Sequence, residues 1–272
     1  YLLDLSSGEV TAVSSDMNPQ RKHGGDIISR VQPAARDAEG KAELQSLIVD
    51  GINDNIESVT KEAGIDPETI YEAIFVGNTA MHHLFLGIDV GPVAASPYVP
   101  ATRAGVHTIA RDIDLRMNPA GKVSWLPIIG GWVGPDFVAD LLVAGVLDRD
   151  ETVLAVDIGT NGEIVLVHEG RTYAASTAAG PAFEGSRLSC GMRATQGAIE
   201  KVVFNGDLDY GTIGGIGATG LCGSGLIDLV ATLINDGIIS PEGHLPRPHE
   251  ISADMPQSLQ ERIRVDDDEK KY

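Results

Sequence analysis

The order of apolar and polar residues along the chain predicts alternating strands and helices. Over residues 38–63 apolar side chains recur every three or four positions, and Gly64 follows as a natural end to this long, core-facing helix. Shorter apolar runs predict the other elements of the first half: a hairpin joining residues 1–5 to 10–14, a buried strand at 73–76, a helix at 80–86, a strand at 123–126 and a helix from Pro135 to about Val146.

The most informative stretch is a pair of apolar runs within residues 153–167. The first run stops at Asp157, and the chain turns through Gly-Thr-Asn-Gly at 159–162 before the second run begins. Glycine lets the backbone approach a bound group, Thr160 and the turn amides can donate to phosphate oxygens, and Asp157 can hold a hydrated Mg²⁺. The stretch therefore suits a phosphate-and-metal corner. An ordinary hairpin with an Asn-Gly turn is the alternative.

A second glycine-rich segment, residues 214–225, precedes an apolar helix that runs to Asn235 and is followed by Gly237. Free amides and the helix dipole at such an N-terminus favour an anion, so the segment suits a nucleotide cradle. No Lys-Ser or Lys-Thr pair follows, so it is not a Walker loop. The helix is apolar on nearly every side and is expected to be buried, and simple close packing on a sheet would also explain the glycines.

The second half repeats the first in outline. A hairpin, a third strand at 173–175, a glycine-containing loop and a helix near 195–202 follow one another, which predicts two similar lobes, residues 1–150 and 151–272. The Pro- and Gly-rich residues 91–131 between elements of the first lobe suit a hinge or lid. His82 and His83 are adjacent on a predicted helix, point in different directions and are interpreted as structural.

Composition and charge limit the possible partners and cofactors of the protein. A formal net charge of −19 argues against nucleic acid or an anionic membrane as the partner. Without a signal peptide or a long apolar run, we expect a soluble, cytoplasmic protein. The only cysteines, Cys190 and Cys222, are too few for a four-thiolate cluster in one chain. Because Tyr1 already lies within a strand pattern and the last residues are a charged run, we expect a piece of a longer protein.

Several motifs together resemble the actin-like ATPase domain of the reductive activators of corrinoid proteins. They are Gly-Asn-Thr at 77–79, Asp-Ile-Gly-Thr-Asn-Gly-Glu at 157–163, Gly-Pro-Ala-Phe-Glu-Gly at 180–185, Cys-Gly-Met-Arg at 190–193 and Cys-Gly-Ser-Gly-Leu-Ile-Asp at 222–228. The resemblance implies an α/β, actin-like (duplicated ribonuclease H-like) fold with two lobes around a nucleotide cleft. It also implies ATP-dependent reduction of cob(II)alamin to cob(I)alamin on a corrinoid protein or corrinoid-dependent methyltransferase.

The resemblance also implies roles for individual residues. Asp157 would coordinate hydrated Mg²⁺, and Glu163 or Glu184 would orient the attacking water as general base. The ATP contacts would come from three glycine-containing segments, which comprise Gly77, Asn78 and Thr79; Gly159, Thr160, Asn161 and Gly162; and Gly220, Gly223 and Ser224.

The chain also departs from that family's pattern. It lacks the N-terminal ferredoxin-like domain whose 2Fe–2S cluster delivers the electron. A first phosphate corner is expected before Tyr1 and an adenosine-binding motif after Tyr272. Residues 1–272 alone are therefore expected to bind nucleotide weakly and to be inactive.

Other functions fit parts of the pattern. One is an activator of the 2-hydroxyacyl-CoA dehydratase type, in which Cys190 and Cys222 of each subunit would share a 4Fe–4S cluster across a homodimer. Four iron atoms per dimer would identify it. Another is a small-molecule kinase, recognisable by substrate-stimulated ADP release without a redox partner. A third is a nucleotide-binding scaffold without turnover.

Overall fold

The computed structural model describes residues 1–24, 27–159, 161–178, 180, 188–251 and 255–263. The chain divides into two compact units, one made of Tyr1–Asp157 with Glu163–Ser176, the other of Ile158–Gly162 with Thr177–Tyr272. The α-helices are α1 (Ile27–Arg36), α2 (Ala38–Ala63), α3 (Thr79–Phe85), α4 (Gly91–Ala94), α5 (Pro135–Val143), α6 (Gly223–Asn235) and α7 (Gln257–Gln260). The strands are β1 (Leu2–Leu3), β2 (Val10–Ala12), β3 (Glu72–Phe75), β4 (Val106–Ile109), β5 (Lys122–Trp125), β6 (Val153–Ile158), β7 (Asn161–His168), β8 (Arg171–Ala178), β9 (Ala198–Phe204), β10 (Leu208–Thr212) and β11 (Gly220–Leu221).

The long helix α2 begins and ends where the sequence predicts. The Asp37 carboxylate accepts a hydrogen bond from the Gly40 N–H at 2.7 Å and so caps the first turn. At the other end Gly64 adopts φ 67°, a left-handed conformation that glycine reaches without strain. The predicted hairpin is also confirmed, because β1 and β2 pair antiparallel.

A three-stranded sheet of order β3-β5-β4 packs against α2 in the first unit. Strand β5 lies in the middle, parallel to β3 and antiparallel to β4. The core of this region contains Phe85, Val123 and Trp125, with Phe75 of β3 stacked on Trp125 at a centroid distance of 5.7 Å. The prediction of a buried strand at 73–76 is wrong for one face. Within the described residues β3 is an outer strand of this sheet, and the Ile74 side chain is 65% exposed.

A second cluster joins α1, α2 and α3 through fully buried Leu44 and Leu84. Burial of each such leucine contributes about 2 kcal/mol to folding. His82 and His83 of α3 are also fully buried. His83 Nε2 accepts from the Ala101 N–H and its Nδ1 lies 2.9 Å from the Thr79 carbonyl oxygen, so this ring ties α3 to the loop at Ala101. These contacts agree with the structural role predicted for the histidines.

The third core cluster forms where α5 packs against β7. It comprises Val133, Phe137, Leu141, Val146, Val165 and Val167. The helix starts at the predicted Pro135, and strands β6 and β7 form the predicted hairpin at 153–167 within a sheet of order β6-β7-β8. Packing of α5 on β7 brings the first turns of the helix and the start of the strand into one region.

The second unit holds β9, β10, β11 and α6. The expected helix at 195–202 is wrong, because Ala198–Phe204 is the central strand of a sheet of order β10-β9-β11. Its β-branched Ile199, Val202 and Val203 favour an extended chain. The expectation had rested on similarity between the halves.

Helix α6 matches its predicted span but not its predicted burial. Gly225 is its buried residue, whereas Ile227 and Val230 are 43% and 38% exposed. One side of α6 packs on β9, and the described residues leave the opposite apolar side open. No helix in the described part of the chain combines the length and apolarity needed to cross a bilayer.

Candidate nucleotide and metal site

Four carboxyl groups form an acid cluster within the first compact unit. Asp136 and Asp140 lie on the first turns of α5, Asp157 near the end of β6 and Glu163 near the start of β7. The Glu163 side chain is only 8% exposed. Burial raises the pKa of Glu163 to about 7, and the charges of Asp136, Asp157 and Asp140 add to that rise. Glu163 is therefore partly protonated at neutral pH.

The two helix acids share this environment. Burial raises the pKa of Asp136, and the charges of Asp157 and Asp140 raise it further. The pKa of Asp140 is raised by lost hydration and by the charge of Asp157. Two backbone N–H groups, those of Phe137 and of Asp136 itself, lower the pKa of Asp136 and offset part of this rise. The neighbouring carboxylates still disfavour one another's charge.

The donor set fits a largely hydrated Mg²⁺. Carboxylate oxygens are the ligands that Mg²⁺ prefers, and this ion usually keeps several waters while one or two carboxylates hold it. Within the described ranges no three His, Cys, Asp or Glu side chains are grouped closely enough to hold an ion together. Contact of Asp157 with Mg²⁺ through the ion's water shell stays a prediction.

Gly77, Asn78 and Thr79, predicted to contact ATP and called here the Gly-Asn-Thr corner, lie against the segment that leads into the acid cluster. The Thr79 hydroxyl, 1% exposed, donates to the Gly130 carbonyl oxygen at 2.8 Å. The Asn78 side chain accepts from the Met81 N–H at 3.0 Å and caps α3. These two polar side chains are therefore engaged in holding the fold, and a phosphate-binding role for the corner stays a prediction.

Gly134 allows the two segments to approach closely. A Cβ atom on Gly134 would lie 2.7 Å from the Asn78 Cα and 2.8 Å from the Thr79 nitrogen. No side chain fits at those distances without moving the backbone. The close approach fixes the start of α5, and with it the position of Asp136.

The Gly-Thr-Asn-Gly turn is compact around its glycines. The Gly159 N–H donates to the Asn161 carbonyl oxygen at 3.2 Å. Gly162 is buried, and a Cβ there would lie 3.1 Å from the Thr177 Cγ2, so a side chain would crowd the neighbouring strand. Two predicted site residues, Thr160 and Glu184, lie outside the described residues. The phosphate contacts predicted for this turn remain predictions.

The predicted glycine-rich segment before α6 packs tightly in the second unit. Gly220 lies in β11, where a Cβ would come within 2.8 Å of the Cys190 carbonyl oxygen. Gly223 begins α6, and the Ser224 hydroxyl lies 3.2 Å from the Cys222 sulfur. Among the described residues no side chain hydrogen-bonds to the α6 N-terminus as a cap. Close packing explains Gly220, and a nucleotide contact by Gly223 and Ser224 stays a prediction.

The two cysteines have different environments. Cys190 is exposed, whereas Cys222 is 1% exposed and its thiol donates to the Ile199 carbonyl oxygen at 3.1 Å. A cluster bridged across a dimer needs thiolates at the surface of each subunit. The structure therefore disfavours the 4Fe–4S arrangement that the cysteine count had suggested, and these residues do not fit a four-thiolate 2Fe–2S cluster either.

Asp136 and Asp140 were not predicted as site residues. They are four positions apart on one helix, a spacing that places both side chains on the same face. That spacing was a usable signal, but it is common on solvated helix faces. The spacing of Asp136 and Asp140 points to a site only because α5 packs beside Asp157 and Glu163.

Comparisons with known protein families cover nearly the whole chain. Residues 1–149 match the family described as the RACo middle region. Residues 151–271 match the one described as the C-terminal domain of RACo, the ASKHA domain.

Individual relatives belong to the same group of proteins. The corrinoid activation enzyme RamQ of Eubacterium limosum is 37% identical over the whole chain, which covers 45% of that enzyme. A [Co(II) methylated amine-specific corrinoid protein] reductase of Methanosarcina barkeri is 27% identical over 90% of the chain and 50% of its own length. Among solved structures, a reductive activator for corrinoid,iron-sulfur protein superposes with a TM-score of 0.83 and 38% identity, over 98% of this chain and 42% of that one. The chain spans about half the length of these relatives.

Proposed function

The chain belongs to the RACo family and has its actin-like α/β fold, and from that premise we propose that it forms the ATPase part of a reductive activator of corrinoid proteins. The proposed reaction of the complete protein returns a corrinoid from the Co(II) to the Co(I) state with the help of ATP. Relatives named as a corrinoid activation enzyme and a corrinoid protein reductase support this choice. The partner would be a corrinoid protein or a corrinoid-dependent methyltransferase.

The acid cluster is the observation that carries the ATPase proposal. Four neighbouring carboxyl groups would provide a negative potential that attracts a divalent metal with its nucleotide. Asp157 and its neighbours would hold the water shell of Mg²⁺, which when bound would neutralise phosphate charge. Gly159, Asn161, Gly223 and Ser224 remain our candidates for phosphate contacts.

Glu163 is the best-supported candidate for the general base among the described residues. A carboxyl group with a pKa of about 7 can accept a proton from an attacking water at neutral pH and release it again. Its burial holds the carboxyl away from bulk solvent, which keeps that pKa raised. Glu184, the other predicted candidate, is not placed by the described residues.

The electron source lies outside these residues in the proposal. Since Cys190 and Cys222 do not fit a 2Fe–2S cluster, no electron-transfer step is assigned to this chain. Its proposed contribution is conformational: nucleotide binding favours an arrangement of the complete protein in which uphill electron transfer to the corrinoid can proceed.

The proposal can be tested with Asp157→Ala in the complete protein, and Asp148→Ala as control. Asp148 is an exposed acid outside the cluster, so its removal makes the same change in charge. We expect Asp157→Ala to abolish Mg²⁺-dependent ATP turnover and Co(I) formation while changing the free energy of unfolding by less than about 1 kcal/mol. Asp148→Ala should retain both activities.

Residues 1–272 expressed alone should show neither activity. Unchanged turnover in Asp157→Ala would contradict the assignment of the metal site. ATP turnover without corrinoid reduction, measured with a matched corrinoid protein and reductant, would instead contradict the proposed partner.

A further inference from the structure

Glycine follows an acidic or amide residue at four places in the chain. These steps are Asp50–Gly51, Asn161–Gly162, Asn205–Gly206 and Asp236–Gly237. Such a step can react with itself, because the backbone nitrogen of the glycine lies within reach of the preceding side-chain carbonyl carbon. Glycine has no Cβ atom to hinder that approach. The surroundings of each step decide whether the two atoms can meet.

Asn205–Gly206 forms the tip of the hairpin between β9 and β10. The last ladder pair is Phe204 with Leu208, so the loop comprises only residues 205–207, and the Asn205 N–H donates to the Asp207 carbonyl oxygen at 3.0 Å. Both residues of the step are exposed. In the part of the chain that the structure describes, no hydrogen bond engages the Gly206 N–H or the Asn205 carboxamide. The two reacting groups are therefore open to solvent and unrestrained by partners.

The other three steps are held by their surroundings. Gly51 lies inside α2, where the helix ladder fixes its backbone. The Gly237 N–H donates to the Ile234 carbonyl oxygen at 3.0 Å. Gly162 is buried in β7, and a Cβ there would lie 3.1 Å from the Thr177 Cγ2. Reaction at these steps requires the peptide to turn out of a helix, a turn or a sheet, and that opening costs free energy.

We propose that Asn205 is a modification site, at which the side-chain amide is lost spontaneously. The Gly206 nitrogen attacks the Asn205 Cγ, the new N–Cγ bond closes a five-membered succinimide, and the Cγ–Nδ2 bond breaks. The amide proton of Gly206 ends on the ammonia that leaves. Water, the only co-reactant, then opens the ring at either of its two carbonyl carbons. The products are aspartate, or isoaspartate in which the main chain runs through the former side chain.

The modification adds one negative charge beside an existing ion pair. Asp207 Oδ1 lies 3.4 Å from Arg262 Nη1, and this pair joins the hairpin tip to the segment after α7. Isoaspartate lengthens the main chain by one carbon atom, so the bond from the Asn205 N–H to the Asp207 carbonyl oxygen would be disturbed. The ladder from Phe204 to Leu208 onward fixes the strands, which confines the change to the loop. The reaction does not depend on the proposed ATPase function.

Peptide mass spectrometry of the complete protein provides the first test. After incubation at mildly alkaline pH without nucleotide, the peptide with Asn205 should gain about 1 Da at least about 10-fold faster than the peptide with Asn161, because Asn161 reacts only when β7 opens. Part of the product should accept a methyl group from an isoaspartate-specific methyltransferase. In urea-unfolded protein the two sites should react at similar rates, which shows that the fold makes the difference.

Two results of this experiment would overturn the proposal. One is equal rates for Asn205 and Asn161 in the folded protein, which would mean that the exposed tip confers no reactivity. The other is conversion to aspartate without isoaspartate, which would indicate direct hydrolysis of the side chain in place of ring closure.

Substitution provides the second test. Gly206→Ala should slow the reaction at least about 10-fold, because the added methyl group crowds the attacking nitrogen. A Cβ at Gly206 meets no atom within 4 Å, so the loop has room for it. Asn205→Gln should abolish the mass change, since a glutamine would have to close a larger ring. An unchanged rate in Gly206→Ala, or a persisting mass change in the same peptide of Asn205→Gln, would contradict the proposal.

Discussion

The Asp136 N–H donates a hydrogen bond to the carbonyl oxygen of Gly77 at 3.3 Å. This bond joins the Gly-Asn-Thr corner to the acid cluster. Together with the bond from the Thr79 hydroxyl to Gly130, it clamps both ends of the segment that precedes α5. The corner therefore supports the position of Asp136.

Thr79→Val should destabilise the protein by about 1 kcal/mol, because the hydrogen bond from the buried hydroxyl to the Gly130 carbonyl oxygen is lost while that oxygen keeps the Val133 N–H as a donor. Thr79→Ser keeps the hydroxyl and should recover most of that loss. Urea denaturation of both variants measures the effect. A change in the KM for ATP in Thr79→Val, with stability unchanged, would contradict a supporting role and favour a direct phosphate contact.

Glu163→Gln should make the protein more stable at pH 8 and have little effect at pH 4. The folded-state pKa of about 7 exceeds the ordinary value of 4.5, so the folded protein holds the proton more tightly. The free energy of unfolding of the wild type therefore falls as the pH rises from about 4.5 through 7, because the carboxyl group ionises more readily in the unfolded chain. The amide of the Glu163→Gln variant cannot ionise, so the variant avoids this fall. We expect a gain of about 2–3 kcal/mol at pH 8.

Denaturant midpoints at several pH values would measure this difference. The gain should be absent in Glu169→Gln, because Glu169 lies at an exposed turn outside the cluster. A gain that did not vary with pH would show that ionisation of Glu163 is not its source.

Nucleotide should change the protease sensitivity of residues 127–132 in the complete protein. This glycine-containing segment leads into α5, and Trp132 packs edge-on against Tyr98 at a centroid distance of 5.5 Å. We expect a non-hydrolysable ATP analogue to slow cleavage there, since binding near α5 would restrict the segment. Equal digestion rates with and without the analogue would rule out a lid at this position.

Gly225→Ala should destabilise the second unit by about 2 kcal/mol or more. A Cβ at this position would lie 2.1 Å from the Ile199 carbonyl oxygen, so α6 would have to move away from β9. Gly217→Ala is the control, because a Cβ there meets no atom within 4 Å. Similar thermal unfolding of the two variants would show that close approach of α6 to β9 is not needed.

Local pattern determined most element positions. The sequence predicted the elements at residues 38–63, 153–158 and 223–235. Apolar spacing, an N-terminal Asp or Gly and a terminal glycine determine local conformation over only a few residues, so they can be recognised in sequence. The error at 195–202 came from assuming that the halves match, where the β-branched residues of β9 gave the better local signal. Several short motifs together were sufficient to indicate the family.

Tertiary structure alone decided which groups act on one another. The sequence singled out Asp157 and Glu163, but it could not show that Asp136 and Asp140 approach them, because that depends on how α5 packs on β7. Burial likewise followed from neighbours, since the apolar β3, β6 and α6 look fully buried in sequence yet expose Ile74, Val156 and Ile227. Spacing along a chain fixes local conformation, whereas pKa and exposure depend on distances between segments that are remote in sequence.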